Sequence, residues 1–302
     1  MSSESRRPEV VVLGGTGMLG HRVLLALARA GVSTVATTRE SRQRRPAWWD
    51  DWLSDEAVVP EFDARDLRSV EALLSGLRPR VVVNCVGVVK QKSEAHDAEI
   101  SIAVNSLFPH AVARICRGWG GRLIHVSTDC VFAGDRGGYC EADRPDAPDL
   151  YGRSKALGEV VEGDALTIRT SIVGRQVTGS SSLLEWFLAE KGPEVKGYSG
   201  AFFSGVTTLE LARVLTDLAV RPALTGLYHV AGPRISKFDL LTLFRDAFRK
   251  DLTIVRDESI VLDRSLDGRR FEAAAPWRAP GWAQMVDELA ADPAPYDRWR
   301  TS

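Results

Sequence analysis

Tyr151 and Lys155 stand four residues apart in DLYGRSKALGE, Asp149 to Glu159. Alanine, leucine and a lysine–glutamate pair favour helix there. Positions i and i+4 share a helix face, so the phenol and the ammonium are expected side by side. A free tyrosine has a pKa of about 10, and a cation within about 4–6 Å favours its phenolate. Such a pair suits delivery of a proton near neutral pH. Thr128 closes the run RLIHVST upstream. In an open α/β sheet, ligands bind at the carboxyl ends of strands, where this hydroxyl would lie. The three groups together fit a carbonyl reduction. Hydride addition leaves an alkoxide, the tyrosine protonates it, and the threonine holds its oxygen. The plain alternative is a surface pair, since YxxxK arises often by chance.

A second cluster decides between these readings. VVVLGGTGMLGHRV, Val10 to Val23, places glycines between a predicted strand and a predicted helix. Glycine allows a sharp turn and close approach of a pyrophosphate to the amides and dipole of a helix N-terminus. Gly14, Gly15, Thr16, Gly17, Met18, Leu19 and Gly20 are therefore expected to bind a dinucleotide; a glycine turn without a ligand is the alternative. The next strand ends in Thr38 and Arg39, with Arg42 nearby. A guanidinium suits a ribose 2′-phosphate, so NADPH (NADP) is favoured over NADH. Asp63 is either an adenine contact or only a strand-ending carboxylate.

Positioning these groups requires a sheet. Apolar or β-branched runs at Val10–Leu13, Thr34–Arg39, Ala57–Asp63, Arg80–Val89, Arg122–Thr128 and Ala165–Val173 predict strands, with Pro60 a caution. Helices are predicted over Met18–Ala30 and Leu67–Leu77, and on the stripe Ile100, Ala103, Val104, Leu107, Ala111 and Ile115, with a kink at Pro109. The pattern implies an α/β fold, a Rossmann-type doubly wound parallel sheet covered on both faces. After Val173 the alternation loosens. Helices are predicted over Ser180–Glu190, Thr207–Val220 and Ser236–Lys250, and short strands over Gly226–Val230 and Asp251–Asp257. The expected division is residues 1–173 with about 204–231 as the dinucleotide-binding domain, and about 174–203 with 232–302 as a smaller C-terminal substrate-binding lobe. Glu40–Trp52 reads as an exposed loop pinned by its tryptophans.

The chain has 302 residues, 44% hydrophobic and 26% charged, with 39 basic and 40 acidic side chains and a net charge of −1. That is globular, and it gives no electrostatic reason for nucleic acid or an anionic membrane as partner. No stretch approaches the roughly 20 apolar residues of a membrane span. MSSESRRPE carries no apolar signal core, and Cys85, Cys116, Cys130 and Cys140 lack CxxC spacing. A cytoplasmic protein with reduced thiols and no metal is expected. His21 and His125 read as structural.

GGTGMLG, STDCVFAG (Ser127–Gly134) and YGRSKALGE together resemble the extended short-chain dehydrogenase/reductases. Within them they look most like the dTDP-4-dehydrorhamnose reductase group of nucleotide-sugar enzymes. LDRSLDGRRF, Leu262 to Phe271, is similar to a segment that closes the substrate site in that group. The resemblance implies Thr128, Tyr151 and Lys155 as a catalytic triad, with Asn105 supporting a water-linked proton path behind Lys155. It implies that Cys85, Val86, Gly87, Thr170 and Ser171 border the cofactor, along with Tyr151 and Lys155. The implied activity is NADPH-dependent reduction of a nucleotide-diphospho-4-keto-6-deoxy sugar. The expected partners are that substrate and, as an open option, a second copy in a homodimer. Lys90, Cys130, Lys196, Arg264 and Arg270 are candidate substrate contacts; the cations are alternatively solvated. The chain departs from the group at Cys130, where tyrosine is usual, at Lys90–Gln91–Lys92, and over Lys196–Glu210. An epimerase or dehydratase is the runner-up chemistry, although Cys130 stands where a dehydratase needs a glutamate. A non-catalytic NADP-binding regulatory subunit is the alternative from outside enzymology.

Overall fold

The computed structural model describes residues 7–41, 57–89, 96–177, 179, 182–221, 224–296 and 299. Arg42, the three tryptophans of the predicted loop, Lys90, Gln91 and Lys92 lie outside the described residues.

Along the chain come β1 (Val10–Leu13), α1 (Gly20–Arg29), β2 (Thr34–Thr37), β3 (Val58–Val59), α2 (Leu67–Leu77) and β4 (Val81–Asn84). Next are α3 (Ala98–Ser101), a π-helical turn (Ile102–Leu107), α4 (Phe108–Arg117), β5 (Arg122–Val126), a 3-10 turn (Asp129–Val131) and α5 (Leu150–Leu157). Then follow β6 (Leu166–Arg169), β7 (Ile172–Val173), α6 (Leu183–Ala189), β8 (Glu194–Tyr198), β9 (Ala201–Phe203), β10 (Val206–Thr207) and α7 (Thr208–Val220). The rest is β11 (Gly226–His229), β12 (Ile235–Ser236), α8 (Lys237–Ala247), β13 (Thr253–Asp257), β14 (Leu262–Asp263), α9 (Arg269–Ala274) and α10 (Trp282–Ala290).

A seven-stranded sheet runs in the order β11-β6-β5-β4-β1-β2-β3. Its neighbours are all parallel. Alternate residues of each strand enter opposite cores, which is why the strands are apolar throughout. Val10, Val12, Val81, Val83 and Ile124 pack with Val23 and Leu27 of α1 and Leu211 and Leu215 of α7. Val11, Leu13, Val82 and Leu123 pack on the other face with Val70 and Leu74 of α2 and Phe108 and Val112 of α4. Outside this sheet, β8 pairs with β13, and β9 lies between β12 and β14. Among the described residues no helix is long and apolar enough to cross a membrane.

Several elements differ from their sequence-based outlines. β3 keeps two residues because Pro60 has no N–H for the ladder. β4 stops at Asn84, whose side-chain Oδ1 accepts from Val86 N–H at 3.0 Å and turns the chain out of the sheet. The predicted strand Ala165–Val173 divides: β6 stays in the main sheet, whereas β7 pairs with β10. The expected kink at Pro109 becomes the π-turn just before it. Proline cannot donate to the carbonyl of Asn105, so the ladder widens there. The extra residue rotates the apolar stripe. Phe108 is fully buried and Leu107, placed in the stripe by periodicity, is 54% exposed.

The C-terminal residues return to the first helix. Tyr296 and Trp299 pack with Leu25 and Val58. His21 Nδ1 donates to Gly17 O at 2.9 Å, which leaves Nε2 to accept from the Tyr296 hydroxyl at 3.0 Å. Burial lowers the His21 pKa to about 3, so the ring is neutral and ties the glycine loop to the chain end.

Candidate active site

The glycine loop is shaped by close contacts that leave no room for side chains. Gly14 has φ +83°, and its N–H donates to Thr37 Oγ1 at 3.1 Å. A Cβ on Gly20 would lie 2.1 Å from Gly14 O, and one on Gly15 would lie 2.9 Å from Ala36 Cβ. These two glycines let α1 press against the turn. Gly17 is different: it is exposed, and a Cβ there would meet only Gly14 O, at 3.4 Å. α1 begins after Leu19 with no side-chain cap and no acidic residue in its first turn. The amides of Gly15, Gly17 and His21 donate within the fold, to Thr37 O, Gly14 O and Gly17 O, and the loop with its uncapped helix fits a phosphate group. Thr16 and Met18 border this opening half-buried, while Leu19 is buried beneath it.

The end of β2 holds a group that the sequence reading passed over. The Glu40 carboxylate accepts from the hydroxyls of Thr38 and, at 3.3 Å, Thr16. It therefore sits against the glycine loop. The signal was present, because an acidic residue about twenty positions beyond the glycines is the usual ribose contact. Arg39 is exposed beside it. The Asp63 carboxylate is gripped by Arg65 Nη2 at 2.7 Å, and Arg65 and then Arg39 hold its pKa below the ordinary value.

Thr128, Tyr151 and Lys155 come together at the carboxyl end of β5. Thr128 has extended backbone and starts the 3-10 turn. Its hydroxyl accepts from Cys130 N–H at 3.1 Å and donates to Asp129 Oδ1 at 3.2 Å. Asp149 caps α5 by accepting from Gly152 N–H at 2.9 Å, which fixes Tyr151 in the first turn. Burial is the main influence on the phenol and raises its pKa; the Cys130 thiol adds to this and a hydrogen bond with Thr128 opposes it. Lys155 does not supply the expected phenolate-favouring contact here. Its ammonium turns to β5, donating to Val126 O at 2.8 Å, with His125 Nε2 at 3.5 Å. Burial lowers its pKa to about 8, against the pull of Glu159 and Cys85.

Asn105 is fully committed inside the π-turn. Its Oδ1 accepts from Val88 N–H at 2.9 Å, and its Nδ2 donates to Val88 O and Ser154 Oγ, each at 3.1 Å. The side chain thereby clamps the segment after β4 to α5. Within that segment Val86 Cγ2 would lie 3.1 Å from a Cβ on Gly14, and Asn105 Oδ1 would lie 3.4 Å from one on Gly87. Burial pushes the Cys85 thiol up to about 12. Thr170 O accepts from Asp129 N–H at 3.1 Å, and Ser171 O accepts from Val206 N–H at 3.0 Å.

Of the predicted substrate contacts, Arg264 reaches this place. Its guanidinium donates to Phe132 O at 2.9 Å and Ala133 O at 3.2 Å, and lies 3.9 Å from Cys130 Sγ. Cys130 thus has the neighbouring cation that the sequence did not reveal, yet burial keeps its thiol up at about 12. Lys237, at the start of α8, was missed altogether; it and Arg264 oppose the burial that raises the Asp129 pKa. No local pattern marks it, because only tertiary packing brings α8 to Asp129. Arg270, the other candidate arginine, does not join Arg264 there. Arg269 pairs with Asp267, and Arg270 stacks 4.8 Å over Tyr228. Both lie in α9, and Leu266 N–H anchors the preceding turn inward to Ser204 Oγ at 2.6 Å. Lys196 is on β8, mostly exposed, and pairs with Asp257 at 3.2 Å. Among the described residues no group of three or more histidine, cysteine or acidic side chains is placed to hold a metal ion.

This arrangement has known relatives. The chain is 30% identical over 154 residues to a dTDP-4-dehydrorhamnose reductase of Streptomyces griseus, covering 51% of this chain and 44% of the relative. It spans about half the length of the first curated reductases it matches. It is 26% identical to methionine adenosyltransferase 2 subunit beta of Xenopus laevis, over 81% of this chain and 72% of that one. A crystal structure of dTDP-4-dehydrorhamnose reductase from Bacillus anthracis in complex with NADP superposes with a TM-score of 0.74 at 18% identity, covering 93% of this chain and 98% of that one. That likeness establishes the Rossmann-type fold. The family model described as the RmlD substrate binding domain matches residues 8–261, and the chain belongs to that family.

Proposed function

We propose that the protein reduces the 4-keto group of a nucleotide-diphospho-4-keto-6-deoxy sugar with NADPH. The observation that carries this is the pairing of the Thr128 hydroxyl with the Tyr151 phenol at the carboxyl edge of the sheet, beside an uncapped glycine cradle. Gly14–Gly20 would hold the dinucleotide pyrophosphate, and Arg39 the ribose phosphate. When bound, that cofactor supplies a hydride to the carbonyl carbon. Thr128 holds the carbonyl oxygen, and Tyr151, kept protonated by burial, gives its proton to that oxygen. Arg264 and Lys237 lie near enough to act on Asp129 and offer positive charge to an anionic substrate. The named activity of the Streptomyces relative supports a 4-keto sugar as substrate.

The proposed domain division follows the sheets. β11 belongs to the large sheet, which supports grouping about 204–231 with the dinucleotide-binding domain, and β8, β9, β12, β13 and β14 lie in other sheets, which supports a smaller lobe; Tyr296 and Trp299 pack on Leu25 of α1. A homodimer is proposed through the apolar side chains of Ile102, Leu107, Leu157 and Val161, each at least half exposed.

Two observations favour second readings. Glu40 at the glycine loop favours NADH, because a carboxylate accepts from a free ribose hydroxyl and repels a phosphate. The turning of Lys155 to β5 favours a non-catalytic NADP-binding regulatory subunit, and the Xenopus relative is named as the beta subunit of an enzyme. One experiment separates them: a panel of nucleotide 4-keto sugars with NADPH and NADH, followed at the nicotinamide absorbance, for the parent and Tyr151→Phe. Reduction is expected to fall by about 10²–10⁴-fold in the variant, the usual cost of losing a positioned acid. No turnover of any sugar by the parent would leave the binding-subunit reading standing.

A further inference from the structure

His125 is the penultimate residue of β5, fully buried, between Asn84 and Lys155. Its tautomer can be read from its neighbours. Asn84 Oδ1 accepts from the backbone N–H of Val86, a donor that has no other role, at 3.0 Å. The amide nitrogen of Asn84 therefore faces His125 Nδ1, at 3.1 Å. Nδ1 must accept, so the proton of the neutral ring sits on Nε2. Burial, with Lys155 and His110 as lesser influences, keeps the ring neutral. The chain of donors runs Val86 to Asn84 to His125 and ends on Lys155 Nζ, 3.5 Å from Nε2.

We propose that His125 is a positioning residue for the reduction: its Nε2–H is aimed at Lys155 and makes that lysine a proton carrier rather than a fixed cation. This deepens the reductase reading and rests on it. As an amine, Lys155 accepts from His125 while donating to Val126 O. As an ammonium, it meets the imidazole donor to donor. A hydrogen bond made only to the neutral form eases proton release. After Tyr151 has given its proton to the alkoxide, the Lys155 ammonium, turned to Val126 O rather than to the phenol, replaces that proton by way of an intervening water, and the amine recovers its own from solvent. No other co-reactant is needed.

The other groups facing Lys155 act alongside. Glu159, one turn further on, favours the ammonium. Its carboxylate is shared, however, accepting from Arg169 Nε and Nη2, each at 2.7 Å, and from Ser127 Oγ at 2.8 Å. The Cys85 thiol, at the end of β4, stays protonated through the neutral range. His125 is left as the donor that opposes the charge.

The test is a titration of the full chain labelled with ¹³C,¹⁵N-lysine, following the Lys155 Cε resonance, which Lys155→Met identifies. Glutamine places its amide nitrogen near the Nε2 position, and asparagine reaches only the Nδ1 position. The parent and His125→Gln are expected to titrate near pH 8, and His125→Asn about one unit higher. His125→Phe, which fills the ring volume without an N–H, gives the same upward shift if the asparagine variant does not fold. The pH profile of kcat should move with the resonance, whereas a merely structural histidine would lower kcat and leave the profile in place. Equal midpoints in the parent and His125→Asn would overturn the proposal. So would a glutamine shift as large as the asparagine one, or a parent midpoint at the ordinary lysine value of about 10.4. The resonance is read without sugar, so inactivity toward 4-keto sugars counts against the reductase reading and a static Lys155 counts against the His125 pairing.

Discussion

The glycine loop allows folding and binding to be perturbed separately. Gly17→Ala adds a methyl that meets only Gly14 O, at 3.4 Å, an ordinary contact. The native state should accept it, and restricting the unfolded chain stabilises by about 0.4–1 kcal/mol. In a protein of this size that raises Tm by a few degrees at most, on the order of 1–4 °C. The same methyl stands in the opening before α1, where a pyrophosphate must approach the amides. Losing one or two charged hydrogen bonds, about 1.5–3 kcal/mol each, weakens dinucleotide binding by roughly 10- to 10⁴-fold. Gly20→Ala behaves differently, because its methyl would fall 2.1 Å from Gly14 O. Contacts that close require a backbone shift of about an ångström, and overpacking of this kind costs about 1–3 kcal/mol or more. α1 is held by Val23, Leu24, Leu25 and Leu27, all buried, so the loop must yield. Thermal unfolding by circular dichroism and NADPH titration by calorimetry read the two effects. The expected result is loss of binding alone for Gly17→Ala and loss of both for Gly20→Ala. If Gly17→Ala bound NADPH as tightly as the parent, the loop would not be a phosphate cradle.

The same titration tests cofactor choice. Arg39→Ala should weaken NADPH roughly 10- to 150-fold and NADH little, whereas Glu40→Gln should strengthen NADPH by removing a like charge; indifference of both cofactors to both changes would remove this corner from the site. Acid should destabilise the fold through its buried histidines. His21 and His229 are lowered to about 3 and about 4, and His125 lies well below the ordinary value, each chiefly by burial. Folded pKa values below the unfolded 6.5 mean that the unfolded chain binds more protons under acid. Stability is therefore full above about pH 6.5 and falls as pH drops, by about 1.4 kcal/mol per pH unit for each histidine. Urea midpoints should be markedly lower at pH 5 than at pH 7, and equal midpoints would contradict the buried neutral rings.

Much of this protein was written locally in its sequence. The valine runs fixed a parallel sheet because a strand covered on both faces must be apolar at every position, as Val10–Leu13 and Val81–Val83 are. The glycines announced a cradle because only they permit the contact of Gly20 with Gly14. Helix α2 matched its outline residue for residue, since Asp66 caps it and Leu77 ends it before a left-handed Arg78. Tyr151, Lys155 and Thr128 were legible as types and spacing. What they touch was not. Burial, which depends on every element packed around β5, turned Lys155 toward Val126 and His125, raised the phenol and kept the Cys130 thiol protonated. Pro109 signalled a break, but its form as a π-turn, with Asn105 bonded to Val88 and Ser154 and Leu107 exposed, appears only in the folded chain. Arg264 and Arg270 are close in sequence, yet the inward turn at Leu266 sends one to Cys130 and the other to Tyr228. Lys237 comes near Asp129 from an element that no short-range pattern connects to it, whereas Glu40 stood at the usual spacing beyond the glycines. Local propensity and periodicity specify which elements form; the meeting of distant side chains is decided by packing, where one buried contact sets both position and charge.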